Sequence, residues 1–489
     1  MRTAPPSAAP PVVAILGGGF TGASTAFHLL RAIGGQPVRI VVIEPRAGLG
    51  QGLAYSTRDP SHRINVPAAR MTMDSADPQG LQSWLRAHPA SLDTDPEARL
   101  PGGELFVRRR TVGDYVADTL GPALASGRIE HLRARAIRLG VAGPDPVHLN
   151  RGRRFEIGCD EGTVLVADLV VLALSHPPPG LPAALAPVAG SARLIADSTL
   201  GGDRLSGLAR TAGQILIVGT GLTSADVIAS LDRQGYRGRI TALSRHGLRS
   251  RGHVFAHAAS LADFATDPAR SATPLLARIR RAVARDAAAG LPWQATLDAV
   301  RRDAPAIWAA LPLAERARVL RHLRVWWDVH RFRIAPQPEA AIERRLAAGG
   351  LEIVRGRLVS AHEEAAGLRI GWRVPEGAAL HERIFDAVVV TTGPAHGEAL
   401  HRMPVLASAA EARLIRADPL RLGLDVADGC RALGRDGGAV PGLFVAGPLA
   451  RGGVGELMGI PEVTRHAELV AARLAVALAD RLSPAGQGA

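Results

Sequence analysis

Val12-Val13-Ala14-Ile15-Leu16-Gly17-Gly18-Gly19-Phe20-Thr21-Gly22 decides how this chain is read. Its five leading apolar residues have the pattern of a strand buried on both faces of a parallel sheet. That strand runs straight into Gly17-x-Gly19-x-x-Gly22, and residues 23–31 then have helix-forming composition. In such a strand–turn–helix unit each glycine has a task. Gly17 permits the tight turn, Gly19 lets backbone approach a pyrophosphate, and Gly22 lets helix and strand pack closely. The phosphates would rest on the free N–H groups at the helix start, those of Phe20 and Thr21 among them. A second β-branched run, residues 38–43, ends in Glu44, which stands 22 residues after Gly22, where a ribose-binding carboxylate belongs. The two features together predict an adenine-dinucleotide site. Because it opens the chain, the expected dinucleotide is FAD.

The pattern recurs. Residues 214–218 form a short apolar run followed by Gly219-Thr220-Gly221-Leu222-Thr223-Ser224, with serine at the third glycine position. The next strand, residues 239–243, leads into Ser244-Arg245-His246 rather than an acid. An acid there would repel a 2′-phosphate, whereas Arg245 can pair with one, so NADPH is expected over NADH. Each unit is followed by a strand-rich stretch that closes on an apolar strand, at 168–174 in the first and 385–392 in the second. This internal parallel is more specific than either glycine motif alone. It predicts an α/β protein of two Rossmann-like dinucleotide-binding domains, FAD and NAD(P), with a helical insert.

The expected division is 12–205 for the first part of the FAD domain and 206–261 for the first part of the NAD(P) domain. The insert follows at 262–346, the second part of the NAD(P) domain at 347–395, and the C-terminal part of the FAD domain at 396–489. Within 270–345 there are 15 arginines against 7 aspartates and glutamates, a net charge of +8. The insert ends in Trp326-Trp327-Asp328-Val329-His330-Arg331-Phe332-Arg333. Paired tryptophans beside His330, Arg331 and Arg333 fit a lid with an anion clamp. They fit equally a pair of core tryptophans flanked by solvated arginines.

Bulk properties narrow the class. At 489 residues the length prior is about three domains. No apolar run reaches the ~20 residues that span a bilayer, so no membrane role is expected. The two cysteines, Cys159 and Cys430, form no CxxC pair. That disfavours a dithiol-shuttling flavoprotein and fits a cytoplasmic setting. All 58 basic residues are arginine, and the formal charge is +13. They are spread along the chain rather than gathered into an arm, so no nucleic-acid partner is expected.

Residues 15–22, 50–55, 65–71, 219–226, 244–247 and 327–336 together resemble the FAD/NAD(P)-binding family that includes a flavin-dependent urate hydroxylase and an aspartate N-monooxygenase. That family is similar to the flavin-containing and N-hydroxylating monooxygenases. The resemblance implies that Gly17, Gly19, Phe20, Thr21, Gly22, Glu44, Asn65 and Gly447 contact FAD. It implies that Gly219, Gly221, Leu222, Thr223, Ser224 and Arg245 contact NADPH. The implied chemistry is NADPH-driven hydroxylation of a small polar or anionic metabolite by O2 through a flavin C4a-hydroperoxide, with no metal. An NAD(P)H:acceptor reductase that inserts no oxygen is the alternative. One departure from the pattern is Pro448, where related flavoproteins often carry an acid for the ribityl chain.

Overall fold

The computed structural model describes residues 9–143, 153–198, 202–255, 258–374 and 379–482. Its larger sheet has seven strands in the order Val426–Ala427, Arg431–Leu433, Ala439–Val445, Leu169–Leu172, Val12–Leu16, Arg39–Ile43, Ile129–Leu132. The last five are mutually parallel, and the first two turn back antiparallel at the edge. Alternation explains why the opening strand is apolar throughout. Val13 and Ile15 face the helices Phe20–Ile33, Arg109–Ala125 and Ile460–Leu482, while Ala14 and Leu16 face the antiparallel meander Ala136–Val141, Phe155–Cys159, Val164–Ala167. Both faces are covered, so no position along the strand tolerates a polar group.

The second sheet has five strands in the order Leu351–Arg355, Arg239–Ser244, Gln214–Val218, Ala387–Val390, Leu194–Ile195. It repeats the arrangement: Ile215 and Ile217 pack on one face, Leu216 and Val218 on the other. Arg357–Glu364, Gly367–Arg373 and Leu380–Phe385 form its own antiparallel meander. The α/β class and the two Rossmann-like halves therefore stand as the sequence predicts.

Ile129–Leu132 joins the large sheet and Ala136–Val141 the meander. Two expectations shift. The second sheet begins inside 12–205, because Leu194–Ile195 pairs with Val388 and Val389. At the other end, the helix Pro336–Ala347 is not part of the insert's core. Its Ile342, and Ile334 just before it, pack with Ile228 and Leu231 of the second Rossmann unit. The insert proper centres on Phe264, Leu275, Ala282, Val300, Ile307 and Leu311.

The chain crosses between the two halves at neighbouring points. Pro179 and Pro394 form an isolated bridge, Ala395 N–H donates to the Pro178 carbonyl at 3.3 Å, and Arg402 Nη1 donates to that of Pro179 at 2.6 Å. Elsewhere the halves meet through aromatic contacts of Phe106 with His253 and Phe255 and through polar ones. Arg109 pairs with Asp226 at 2.8 Å, His62 Nε2 meets Ser230 Oγ at 3.2 Å, and the Gln337 amide donates to the Glu97 carbonyl at 2.7 Å.

Candidate functional site

The first glycine turn is closed by contacts that leave no room for a side chain. Gly17 has φ +99°, and a Cβ on it would lie 2.6 Å from the Ala173 carbonyl oxygen. A Cβ on Gly22 would lie 1.9 Å from the Gly17 carbonyl oxygen, so the helix Phe20–Ile33 sits directly against the turn. Gly19 caps that helix, and no side chain bonds to its terminal N–H groups. They are left for an anion.

Glu44 is buried at 4% exposure and reaches back to the same turn. One carboxylate oxygen accepts the Gly18 N–H at 3.0 Å, and the other accepts the Arg46 N–H at 3.1 Å. Ionised carboxylate oxygens have further acceptor capacity, as a ribose needs. Residues 50–55 fold over the turn: Gly50 N–H donates to the Gly18 carbonyl at 2.7 Å, and a Cβ on Gly52 would lie 2.9 Å from Gly19 Cα. Gly447 arrives from the other end of the chain. It has φ +74°, a Cβ there would lie 2.6 Å from the Thr21 side chain, and its N–H donates to His466 Nδ1 at 3.0 Å. His466 Nε2 donates in turn to the Gly429 carbonyl at 2.7 Å. The imidazole is therefore neutral, and burial holds its pKa below the ordinary histidine value.

The second turn repeats this with substitutions. Gly219 has φ +123°, its N–H donates to Leu243 as that of Gly17 does to Ile43, and a Cβ would lie 2.7 Å from the Thr391 carbonyl oxygen. The matching bonds align Ser244 with Glu44. Thr220 replaces Gly18, and its hydroxyl bonds Ser244 Oγ at 2.8 Å. Gly221 caps the helix Leu222–Arg233 with no side-chain bond, so the N–H groups of Leu222 and Thr223 start that helix uncapped. Ser224 is buried at 1%, and its Oγ has no partner among the described residues.

This turn opens on a cleft of ≈ 1330 Å³ between the two halves and the insert. Arg245 lies exposed on the cleft lining and forms no ion pair among the described residues. Asn65 reaches the cleft from the first half; its carbonyl accepts a bond from His253 Nε2 at 3.1 Å.

His330, Arg331 and Arg333 are not brought to this lining. Arg331 is buried at 7% between Glu456 at 3.1 Å and Glu462 at 3.3 Å. Arg333, equally buried, pairs with Asp298 at 2.8 Å. His330 Nδ1 bonds the Trp326 carbonyl at 2.7 Å, and its ring abuts Trp293. Both sequence readings of the segment miss this. The arginines are neither a clamp in the cleft nor solvated: Arg331 docks the insert onto the start of the helix Ile460–Leu482, and Arg333 ties this segment to the insert's own helix Trp293–Arg302. Trp326 is half exposed on the cleft, and Trp327 bonds Glu456.

Arg451 and His396 do line the cleft, and sequence reasoning passed them over. Burial and the nearby guanidinium of Arg451 push His176 down to about 4; burial, His176 and Arg451 push His396 down to about 3. Both imidazoles are neutral near pH 7. Fifty-five positions separate His396 from Arg451, and no local spacing marks them. Among the described residues one group, His28, Asp74 and Glu468, brings metal-ligand atom types together. Its atoms are already used: His28 Nε2 donates to the Met73 carbonyl, Asp74 pairs with Arg31, and Glu468 accepts from Ser75. No helix among the described residues is long and apolar enough to cross a membrane.

Residues 14–177 match the family described as FAD-NAD(P)-binding. No curated protein matches the chain. Among solved structures it is similar to L-lysine 6-monooxygenase from Pseudomonas syringae, with TM-score 0.63, 15% identity, and 97% of this chain and 100% of that chain covered. The reduced form of ornithine hydroxylase from Pseudomonas aeruginosa gives TM-score 0.60, 14% identity and coverage of 97% and 100%. The FAD-bound cadaverine monooxygenase from Erwinia amylovora gives 0.60, 15%, 96% and 94%. At these identities the likeness establishes the fold.

Proposed function

We propose that this chain is an FAD-dependent NAD(P)H oxidoreductase that works as a monooxygenase on a small polar or anionic metabolite, with O2 as co-substrate. The observation that carries the reading is the pair of glycine turns. Each has a backbone cradle that a Cβ would fill and an uncapped helix start, and the second faces the large cleft. The FAD-NAD(P)-binding match over residues 14–177 supports flavin at the first turn. N-hydroxylating enzymes of ornithine, lysine and cadaverine share the fold over nearly the whole chain, which supports oxygenation by analogy of architecture.

Bound flavin supplies hydride acceptance and oxygen activation. The protein's part is placement. Gly17, Gly19, Phe20, Thr21 and Gly22 hold the pyrophosphate, Glu44 takes the ribose hydroxyls, and Gly447, set by His466, closes against Thr21. Asn65 brings the first half to the cleft. Gly219, Gly221, Leu222, Thr223 and Ser224 seat the second pyrophosphate, and Arg245 pairs with a 2′-phosphate, which favours NADPH. The apolar side of the cleft, from Val325, Val329 and Phe332, excludes water from the reacting atoms. Unpaired buried cysteines fit a cytoplasmic setting.

The test is rapid mixing of the NADPH-reduced, FAD-loaded protein with O2 while flavin absorbance is followed. A delay before oxidised flavin returns, together with product containing one atom from labelled O2, supports the monooxygenase. Single-step return with no labelled product over a broad metabolite set leaves the acceptor reductase.

A further inference from the structure

Arg451 is a half-buried guanidinium that lacks a counter-ion among the described residues. Among the described residues it forms no ion pair; its Nη1 donates to His396 Nε2 and to Met458 Sδ, each at 3.4 Å. The carboxylates nearest in charge to it are engaged elsewhere. Asp418 accepts backbone N–H groups from Leu420, Leu422 and Gly423, Glu456 pairs with Arg331, and Asp328 with Arg324. Arg324 lines the same cleft and adds a second positive charge close by.

His396 is 9% exposed. Its Nε2 is used as an acceptor by Arg451, so the proton sits on Nδ1, and that N–H has no partner. Arg451 Nε is likewise buried and unpartnered. His176 stands against His396 with ring centroids 5.0 Å apart and planes at 86°, and its Nδ1 is also unmet. A guanidinium at one wall of a cleft, with no counter-ion among the described residues and a second arginine beside it, is costly unless an acceptor completes it. The acceptor that answers this charge is an oxyanion.

The geometry points to an anion pocket in which Arg451, held in place by His396, binds the carboxylate end of the substrate. This rests on the reading of the cleft as the substrate site. It makes the substrate an organic acid, whereas cadaverine, for which one enzyme of the same fold is named, carries amines and no carboxylate. A cationic amine placed here would meet Arg451 and Arg324 together.

The experiment is calorimetric titration of the FAD-loaded protein with succinate, with cadaverine as the cationic probe and with NADP+. Succinate is expected to bind and cadaverine not to. R451Q is expected to weaken succinate roughly ten- to a hundredfold, with FAD content and NADP+ affinity unchanged. H396Q is expected to weaken it by a smaller factor, and serves as the deciding variant if R451Q loses flavin. Indifference of the wild type to succinate, preference for cadaverine, or unchanged succinate affinity in the variants would overturn the pocket. So would a loss that appears in NADP+ binding instead, since the cluster would then read the nucleotide. The titration needs no oxygen transfer, so failure of the monooxygenase reading registers only in the rapid-mixing experiment.

Discussion

The two glycine turns have one geometry and two chemistries. Both have a left-handed first glycine pressed against a neighbouring strand, at Ala173 in one and Thr391 in the other. Both have an uncapped glycine at the helix start. They part at three positions. Gly22 is matched by Ser224, Gly18 by Thr220, and Glu44 by Ser244. The first turn is sealed by its own acid and covered by residues 50–55; the second is edged by hydroxyls and followed by an exposed arginine. A sealed turn suits a cofactor that stays, and an open one suits a nucleotide that comes and goes.

The sharpest break is Gly22→Ala against Ser224→Ala. At Gly22 the new Cβ meets backbone at 1.9 Å, which no side-chain motion relieves. Strand and helix must separate, at about 3 kcal/mol or more, and the protein is expected to purify without flavin. Ser224→Ala removes an oxygen that bonds nothing, so a change within about 1 kcal/mol is expected. Flavin stoichiometry and Tm of the pair decide it. Equal effects would mean that the two helices sit at the same distance from their turns.

Glu44→Ala comes next. It strips the Gly18 and Arg46 N–H groups of their acceptor, a loss of roughly 1.5–3 kcal/mol for bonds to a charged group. Equilibrium dialysis should show weaker FAD and unchanged NADPH. A variant that keeps stoichiometric FAD would remove Glu44 from the site.

Arg245→Ala addresses the open turn alone. Loss of a charge-assisted pair predicts a fall of roughly ten- to a hundredfold in the kcat/KM preference for NADPH over NADH, read as flavin reduction rates. A wild type that prefers NADH, or a preference that does not move, assigns the phosphate elsewhere.

These contrasts were largely legible in the sequence because each lies within one strand–turn–helix–strand unit. What escaped was decided by partners far along the chain. Leu194–Ile195 is too short to carry any period, so its membership of the second sheet is fixed only by pairing with Val388 and Val389. The helix Pro336–Ala347 follows the insert without a break in composition, and only packing on Ile228 and Leu231 assigns it. Arg331 and Arg333 look identical in sequence to solvated arginines. Their partners Glu456, Glu462 and Asp298 lie 125, 131 and 35 positions away. His396 and Arg451 are joined only by the fold.

Acid separates the sites least. Above the unfolded histidine value, near 6.5, His466 is neutral in both states and its stabilisation is complete. Its folded pKa is lower, so stability is lost as pH falls through the window below about 6.5, at up to ~1.4 kcal/mol per unit. FAD retention is expected to decline there, and His466→Gln, which can still offer Gly447 an acceptor, to flatten the decline. Among the described residues no histidine bonds the second turn, which should be less affected. A flat FAD profile from pH 7.5 to about 5 would detach His466 from the flavin site.

Where the chain crosses between its halves, the bridge of Pro179 with Pro394 fixes a line rather than a point. A body hung on two adjacent stiff strands can swing about that line but resists twisting. What holds the swing are pairs such as Arg109 with Asp226 and polar bonds such as His62 with Ser230. Contacts of this kind are weak singly, and their attraction fades beyond a Debye length of about 8 Å at physiological salt. Charge therefore contributes to holding the two halves together across the cleft, and that share falls as ionic strength rises.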